Sequence, residues 1–208
     1  MRRIEQAILV VVLAGITAGC GATRPVKYYV LDMGSAPAVA PSAPLPISLL
    51  VARLTTAHLY RDDRIVYGAG SVQLGTYEYE RWAEPPVGMI QDLLITSLRS
   101  TGQYRSVSHI GSNFRGNYII RGRLIAFYEV DKPELAGRFS IQISLFDSKA
   151  GMDVWSDSYS HDEPAHGKTM LDVVEALDRN VRAGLQQLAT NLGQYFASHP
   201  PQTATAQQ

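Results

Sequence analysis

From Met170 to Tyr195 an apolar side chain returns every third or fourth residue: Met170, Val174, Leu177, Val181, Leu185, Leu188, Leu192 and Tyr195. An α-helix turns once in about 3.6 residues, so this spacing draws one apolar stripe along some seven turns. A stripe of that length has to be covered. The interval is close enough to 3.5 to suit a seam with a partner helix, but packing on the chain's own sheet is the expected solution. Thr169 and Asp172 form a capping box at the start. Asp172, Glu175 and Asp178 sit near the positive end of the helix dipole, where carboxylates are favoured. The helix is expected to run to about Phe196.

The sheet is written in a different period. Phe139, Ile141, Ile143 and Leu145 alternate with Ser140, Gln142 and Ser144, the pattern of a half-buried strand. Asp147 to Gly151 is turn chemistry, and Val154-Trp155 opens the returning strand. Tyr118 to Val130 reads as a longer strand, with Tyr118, Ile120, Leu124 and Ala126 on one face and Arg121 and Arg123 on the other. Ile47 to Leu54 is a nearly continuous apolar run, as expected of a buried strand. Ile65–Tyr67 and Val72–Arg81 pair across Gly68-Ala69-Gly70, and Arg105–Ile110 is a further strand. Between them Pro85-Pro86 opens a first helix, striped by Val87, Ile90, Leu93, Leu94 and Leu98 and stopped at Gly102. His161 to Lys168 is expected to be a polar loop. The sum is α+β: a mixed or antiparallel sheet packed against two amphipathic helices in a single domain.

The chain begins with a different kind of segment. Arg2 and Arg3 precede an uncharged apolar run, Ala7 to Ala18, then Gly19 and Cys20. This is the layout of a secretory signal. A run of about 12 residues is shorter than the roughly 20 a spanning helix needs. Cys20 is the only cysteine among 208 residues, so it has no internal disulfide partner. Following Ala18-Gly19 directly, it resembles the bacterial lipobox, with Thr17 where leucine is usual and Glu5 an unusual guest in the basic region. That resemblance implies a diacylglycerol and further palmitoyl-type acylation on Cys20, and no other cofactor. Gly21 in place of aspartate is similar to the outer-membrane variant of the signal. The alternative is an ordinary signal cut nearby, with an incidental cysteine.

The expected layout is therefore residues 1–19 as signal peptide, 20–26 as lipid-anchored tether, 27–197 as the folded domain and 198–208 as a disordered tail. Residues 34–46, rich in Pro and Ala, read as an extended linker inside the domain. Of the 19 basic and 19 acidic residues, the signal removes two and one, leaving 17 and 18. A chain so nearly neutral argues against nucleic acid as a partner. Arginine outnumbers lysine 15 to 4, which favours planar contacts to carboxylate or phosphate.

Catalytic signatures are weak. Gly68 and Gly70 begin a GxGxxG pattern, but Gln73 stands at its end. There is no GxSxG elbow and no Walker loop. His161-Asp162-Glu163 with His166 is a conceivable zinc set, though a solvated loop is the default reading. Asp62-Asp63 and Glu78/Glu80 are candidate paired carboxylates, but solvated faces account for them. Tyr28, Tyr29, Tyr77, Tyr79 and Trp82 are numerous enough for an interface, and more simply fill a core or sheet face.

Four blocks occur in order: Lys27-Tyr28-Tyr29-Val30-Leu31-Asp32, Asp63-Arg64-Ile65-Val66-Tyr67, Trp82-Ala83-Glu84-Pro85, and the Asp147…Gly151…Val154-Trp155-Ser156 hairpin. In this order the chain resembles the auxiliary lipoproteins of ABC-type transporters, the paraquat-inducible protein C type, over nearly the whole segment after Cys20. The resemblance implies a non-enzymatic lipoprotein facing the periplasm, usually from the outer membrane. It implies an MCE-domain protein as partner, in a system carrying phospholipids or other hydrophobic molecules, with self-association into a homo-oligomer fitting a tunnel partner. The alternative function is an activator or scaffold of a cell-wall synthesis enzyme. A periplasmic hydrolase would need a buried, converging acid and base.

Overall fold

The computed structural model describes residues 24–32, 44–68, 72–111 and 116–200. Among them are nine strands in one mixed sheet and two α-helices. The strands are β1 (Lys27–Tyr29), β2 (Leu45–Val51), β3 (Thr55–Thr56), β4 (Arg64–Gly68), β5 (Leu74–Trp82), β6 (Tyr104–His109), β7 (Tyr118–Val130), β8 (Ala136–Asp147) and β9 (Met152–Pro164). Helix α1 (Pro86–Ser100) links β5 to β6, and α2 (Met170–Ser198) closes the described chain. No helix among the described residues is long and apolar enough to cross a membrane.

β7 is the spine. One of its edges pairs antiparallel with β8 along its whole length, and β8 pairs with β9. Its other edge is shared by three parallel partners in turn: β2 near Tyr118–Ile120, β3 at Arg123–Leu124 and β4 at Glu129–Val130. β2 carries β6 beyond it, while β4 carries β5 and then β1. One long strand thus joins two small wings and a meander.

The alternation in β8 behaves as its sequence demands. Phe139, Ile141, Ile143 and Leu145 are fully buried, with Leu177, Val181 and Leu185 of α2 in the same core. Gly137 has no room for a side chain, since a Cβ would come within 2.7 Å of the Leu177 backbone nitrogen. The stripe of α2 is spent within the chain, on its own sheet and on α1. Its capping box is present, with the Thr169 side chain accepting from the Asp172 N–H.

Three expectations are corrected. Leu45 and Pro46, placed in the Pro/Ala linker, begin β2; residues 34–43 of that segment lie outside the described residues. Pro46 fits a strand because the register shifts between Leu45 and Ser48, where a missing N–H costs no regular ladder bond. His161–Pro164, expected in a loop, continue β9, because polar partners on β8 and α2 satisfy their side chains and backbone. Ala126, expected on the face of Leu124, pairs with Ser140 instead. A bulge between Leu124 and Ala126 leaves Ile125 as the extra residue and switches the faces beyond it.

Candidate functional site

Three of the four sequence blocks are joined to one another. β1 lies parallel to β5, placing Lys27 opposite Glu80 and Tyr29 opposite Trp82. The Ala83 N–H donates to the Tyr29 carbonyl at 2.7 Å and the Trp82 N–H to the Asp63 carbonyl at 2.6 Å. Arg81 donates to both Asp63 oxygens, at 2.9 and 3.2 Å. Trp82 is buried against Phe127, with ring centroids 5.2 Å apart. The Tyr29 hydroxyl donates to Glu80 at 2.7 Å, and burial, with Glu80 beside it, pushes its pKa up to about 12. Three blocks far apart in sequence therefore meet at one corner, while the hairpin block sits on the far end of β8 and β9. Cys20, the one lipid-attachment candidate, lies outside the described residues.

The acid and imidazole candidates are each held by structural partners. Glu80 is buried under Lys27 and Arg24, at 3.4 and 3.7 Å, while Glu78 is exposed. Asp62 accepts from the Asp63 N–H at 2.7 Å and is held below the usual carboxylate range by its contacts with Asp63 and then Arg64. Asp162 takes a bidentate clasp from Arg138, which holds it low. Glu163 accepts from Arg179 at 3.1 Å, with His161 only at 3.7 Å. No set of three His, Cys, Asp or Glu arranged to hold a metal occurs among the described residues. The carboxylate that sequence reasoning passed over is Glu129. It is buried on β7, accepts from the Tyr77 hydroxyl at 3.0 Å on both oxygens, and is raised chiefly by burial. Its signal was present: an acid in the apolar run Phe127–Val130.

A surface remains. Both helices pack on one side of the sheet. On the other side Ala126, Tyr128 and Ser140 are buried beyond the bulge, while the stretch around Arg121, Arg123 and Gln142 stays open to solvent. There Arg121 is followed across the strands by Ser144 and Ser156, and Arg123 by Gln142 and Ser158. The segment Ala52–Thr55 walls this face to form an open groove of about 930 Å³, which also takes in Arg53, Asp153 and Trp155. Arg121 stacks over Phe146 at 3.9 Å and lies 3.8 Å from Asp153, the one acidic side chain lining the groove. The groove is shallow, polar and arginine-rich. It is shaped to receive another surface, not to enclose a small molecule. Arg121 and Arg123 were legible as an outward face; Arg53 was not, because only the fold brings it to β7.

The family described as "ABC-type transport auxiliary lipoprotein component" matches residues 29–191. Among curated proteins none matches. Among solved structures, a Xanthomonas campestris protein superposes with a TM-score of 0.73 at 20% identity, over 83% of this chain and 99% of that one. A protein described only as uncharacterised gives 0.61 at 13% identity, over 83% and 99%. A hypothetical protein of Chlamydia trachomatis gives 0.53 at 5%, over 74% and 99%. At these identities the likeness is one of fold.

Proposed function

The chain belongs to the ABC-type transport auxiliary lipoprotein components, and from that premise we propose that it is the docking partner of a transporter built around an MCE-domain protein. The cargo is phospholipid or another hydrophobic molecule carried across the envelope. Cys20 bears the thioether-linked diacylglycerol and an amide-linked palmitoyl-type chain. Two or three chains of many methylenes, at about 0.8 kcal/mol each, hold a domain at a bilayer stably. Gly21 after the cysteine favours the outer membrane, with the domain in the periplasm. A domain so tethered meets a partner reaching from the opposite membrane at high local concentration.

The observation that carries this reading is the open, arginine-lined stretch of β7–β9 around Arg121, Arg123 and Gln142. It supplies a binding surface, while Asp63, Glu80, Glu129, Asp162 and Glu163 are engaged by arginines and tyrosines. Both observations support a role in docking, without chemistry. The test is co-purification from detergent extracts: the acylated protein is expected to recover an MCE-domain protein. Repeated recovery of a peptidoglycan synthase instead would move the assignment to the cell-wall alternative. Cys20→Ser is expected to abolish palmitate labelling and move the protein out of the membrane fraction; unchanged fractionation would remove the anchor from the proposal.

A further inference from the structure

Three of the exposed large apolar side chains fall within five residues, at and beside β1: Val26, Tyr28 and Val30. Tyr28 and Val30 are each 63% exposed. They alternate with Tyr29, which turns in to Glu80, and Leu31, which is buried in the core. β1 pairs only with β5 and ends the strand order. An edge strand facing water is expected to keep polar or charged groups on its open side. This segment puts apolar groups on both sides, and nothing among the described residues covers the outer set. Beside the stripe stand Arg24 and Lys27, their side chains 65% and 59% exposed, with the single buried carboxylate of Glu80 between them.

We infer that Val26, Tyr28 and Val30, flanked by Arg24 and Lys27, rest in the headgroup–acyl boundary of the membrane that holds the Cys20 lipid. The inference rests on the proposed acylation of Cys20. Chain length then sets the geometry: six residues from Cys20 to Val26 reach about 20 Å at full extension, so the stripe cannot leave the neighbourhood of the bilayer. The composition suits that boundary, where an aromatic ring with a polar tip sits at headgroup level and basic groups meet lipid phosphates. A protein interface is the poorer occupant, because three side chains fall far short of the roughly 800 Å² per partner that stable association buries. The lipid and the stripe together fix the orientation of the domain, which acyl chains on a tether alone do not.

The test uses the acylated full-length protein in vesicles of phosphatidylethanolamine and phosphatidylglycerol. The Cys20 thiol is consumed by the lipid, so Tyr28→Cys or Val30→Cys offers a single site for a nitroxide. Met152→Cys and Leu171→Cys serve as controls, being exposed apolar positions elsewhere. Power saturation is expected to give a several-fold higher oxygen-to-nickel accessibility ratio at 28 and 30 than at 152 and 171. Equal ratios in protein that floats with the vesicles would overturn the inference and leave the anchor standing. Labels at 28 and 30 shielded from both reagents would overturn it in favour of a protein partner or second copy on the stripe. Protein that fails to float would overturn the anchor and the inference together.

Discussion

Asn180 is the polar side chain on which the α2–sheet contact turns. It is fully buried, its amide donates to the carbonyls of Gly137 and His161 at 2.8 Å each, and its oxygen accepts from the Tyr159 hydroxyl at 2.9 Å. Three bonds from one residue fix the height of α2 against β8 and β9. Asn180→Ala removes the bonds to the buried Gly137 carbonyl and to the part-buried His161 carbonyl and Tyr159 hydroxyl, and is expected to cost about 2 kcal/mol, read as a lower urea midpoint with unchanged slope. Glu129 works in the opposite sense. Burial raises its folded-state pKa above the ordinary glutamate value, so the native state binds its proton more readily than the unfolded chain. Stability from this site is therefore highest in acid and falls as pH rises through the unfolded and then the folded value. Glu129→Gln keeps an acceptor for Tyr77 without the buried charge. It is expected to raise the urea midpoint at pH 7 and to match the parent below about pH 4; an equal gain at both pH values would show that charge burial is not the cause.

At the scale of elements, the legible parts were those whose cause is local. The β8–β9 hairpin, the stripe and capping box of α2, and the Pro-initiated α1 follow from period, cap and turn residues that act within one segment. Thr169→Ala is expected to cost about 1 kcal/mol, with amide exchange accelerated in the first turn of α2 and not in its middle. What the sequence did not disclose depends on distant chain. Nothing in His161–Pro164 alone says that Arg138, Arg179 and Asn180 will be there to satisfy a strand. The bulge at Ile125 leaves no local mark, yet it moves Ala126 to the other face. The parallel pairing of β1 with β5 joins residues more than fifty positions apart. The candidate surface was half legible for the same reason: Arg121 and Arg123 announce an outward face, but the wall that makes it a groove comes from the β2–β3 connection.

Across the whole molecule the sheet runs β1-β5-β4-β7-β8-β9. Five strand spacings at about 4.8 Å separate the first edge from the last by about 24 Å. With β1 on the membrane of the anchor, β9 stands about 24 Å from it, and the arginine groove, across β7 to β9, is set back from the bilayer where a partner can reach it. Arg53, Arg121 and Arg123 line that groove with Asp153 as the one acid, so the complementary partner surface is acidic. Opposed fields of this kind act mainly on the rate of encounter and are screened by salt. The double substitution Arg53→Glu with Arg123→Glu is therefore expected to cut recovery of the proposed MCE-domain partner severely, slowing association more than it speeds release. Wild-type recovery should weaken as salt is raised, and that of the variant should not. Both positions lie on the surface, so unfolding free energy should stay within about 0.5 kcal/mol of the parent. Undiminished recovery by a folded variant would move the docking surface off this face of the sheet.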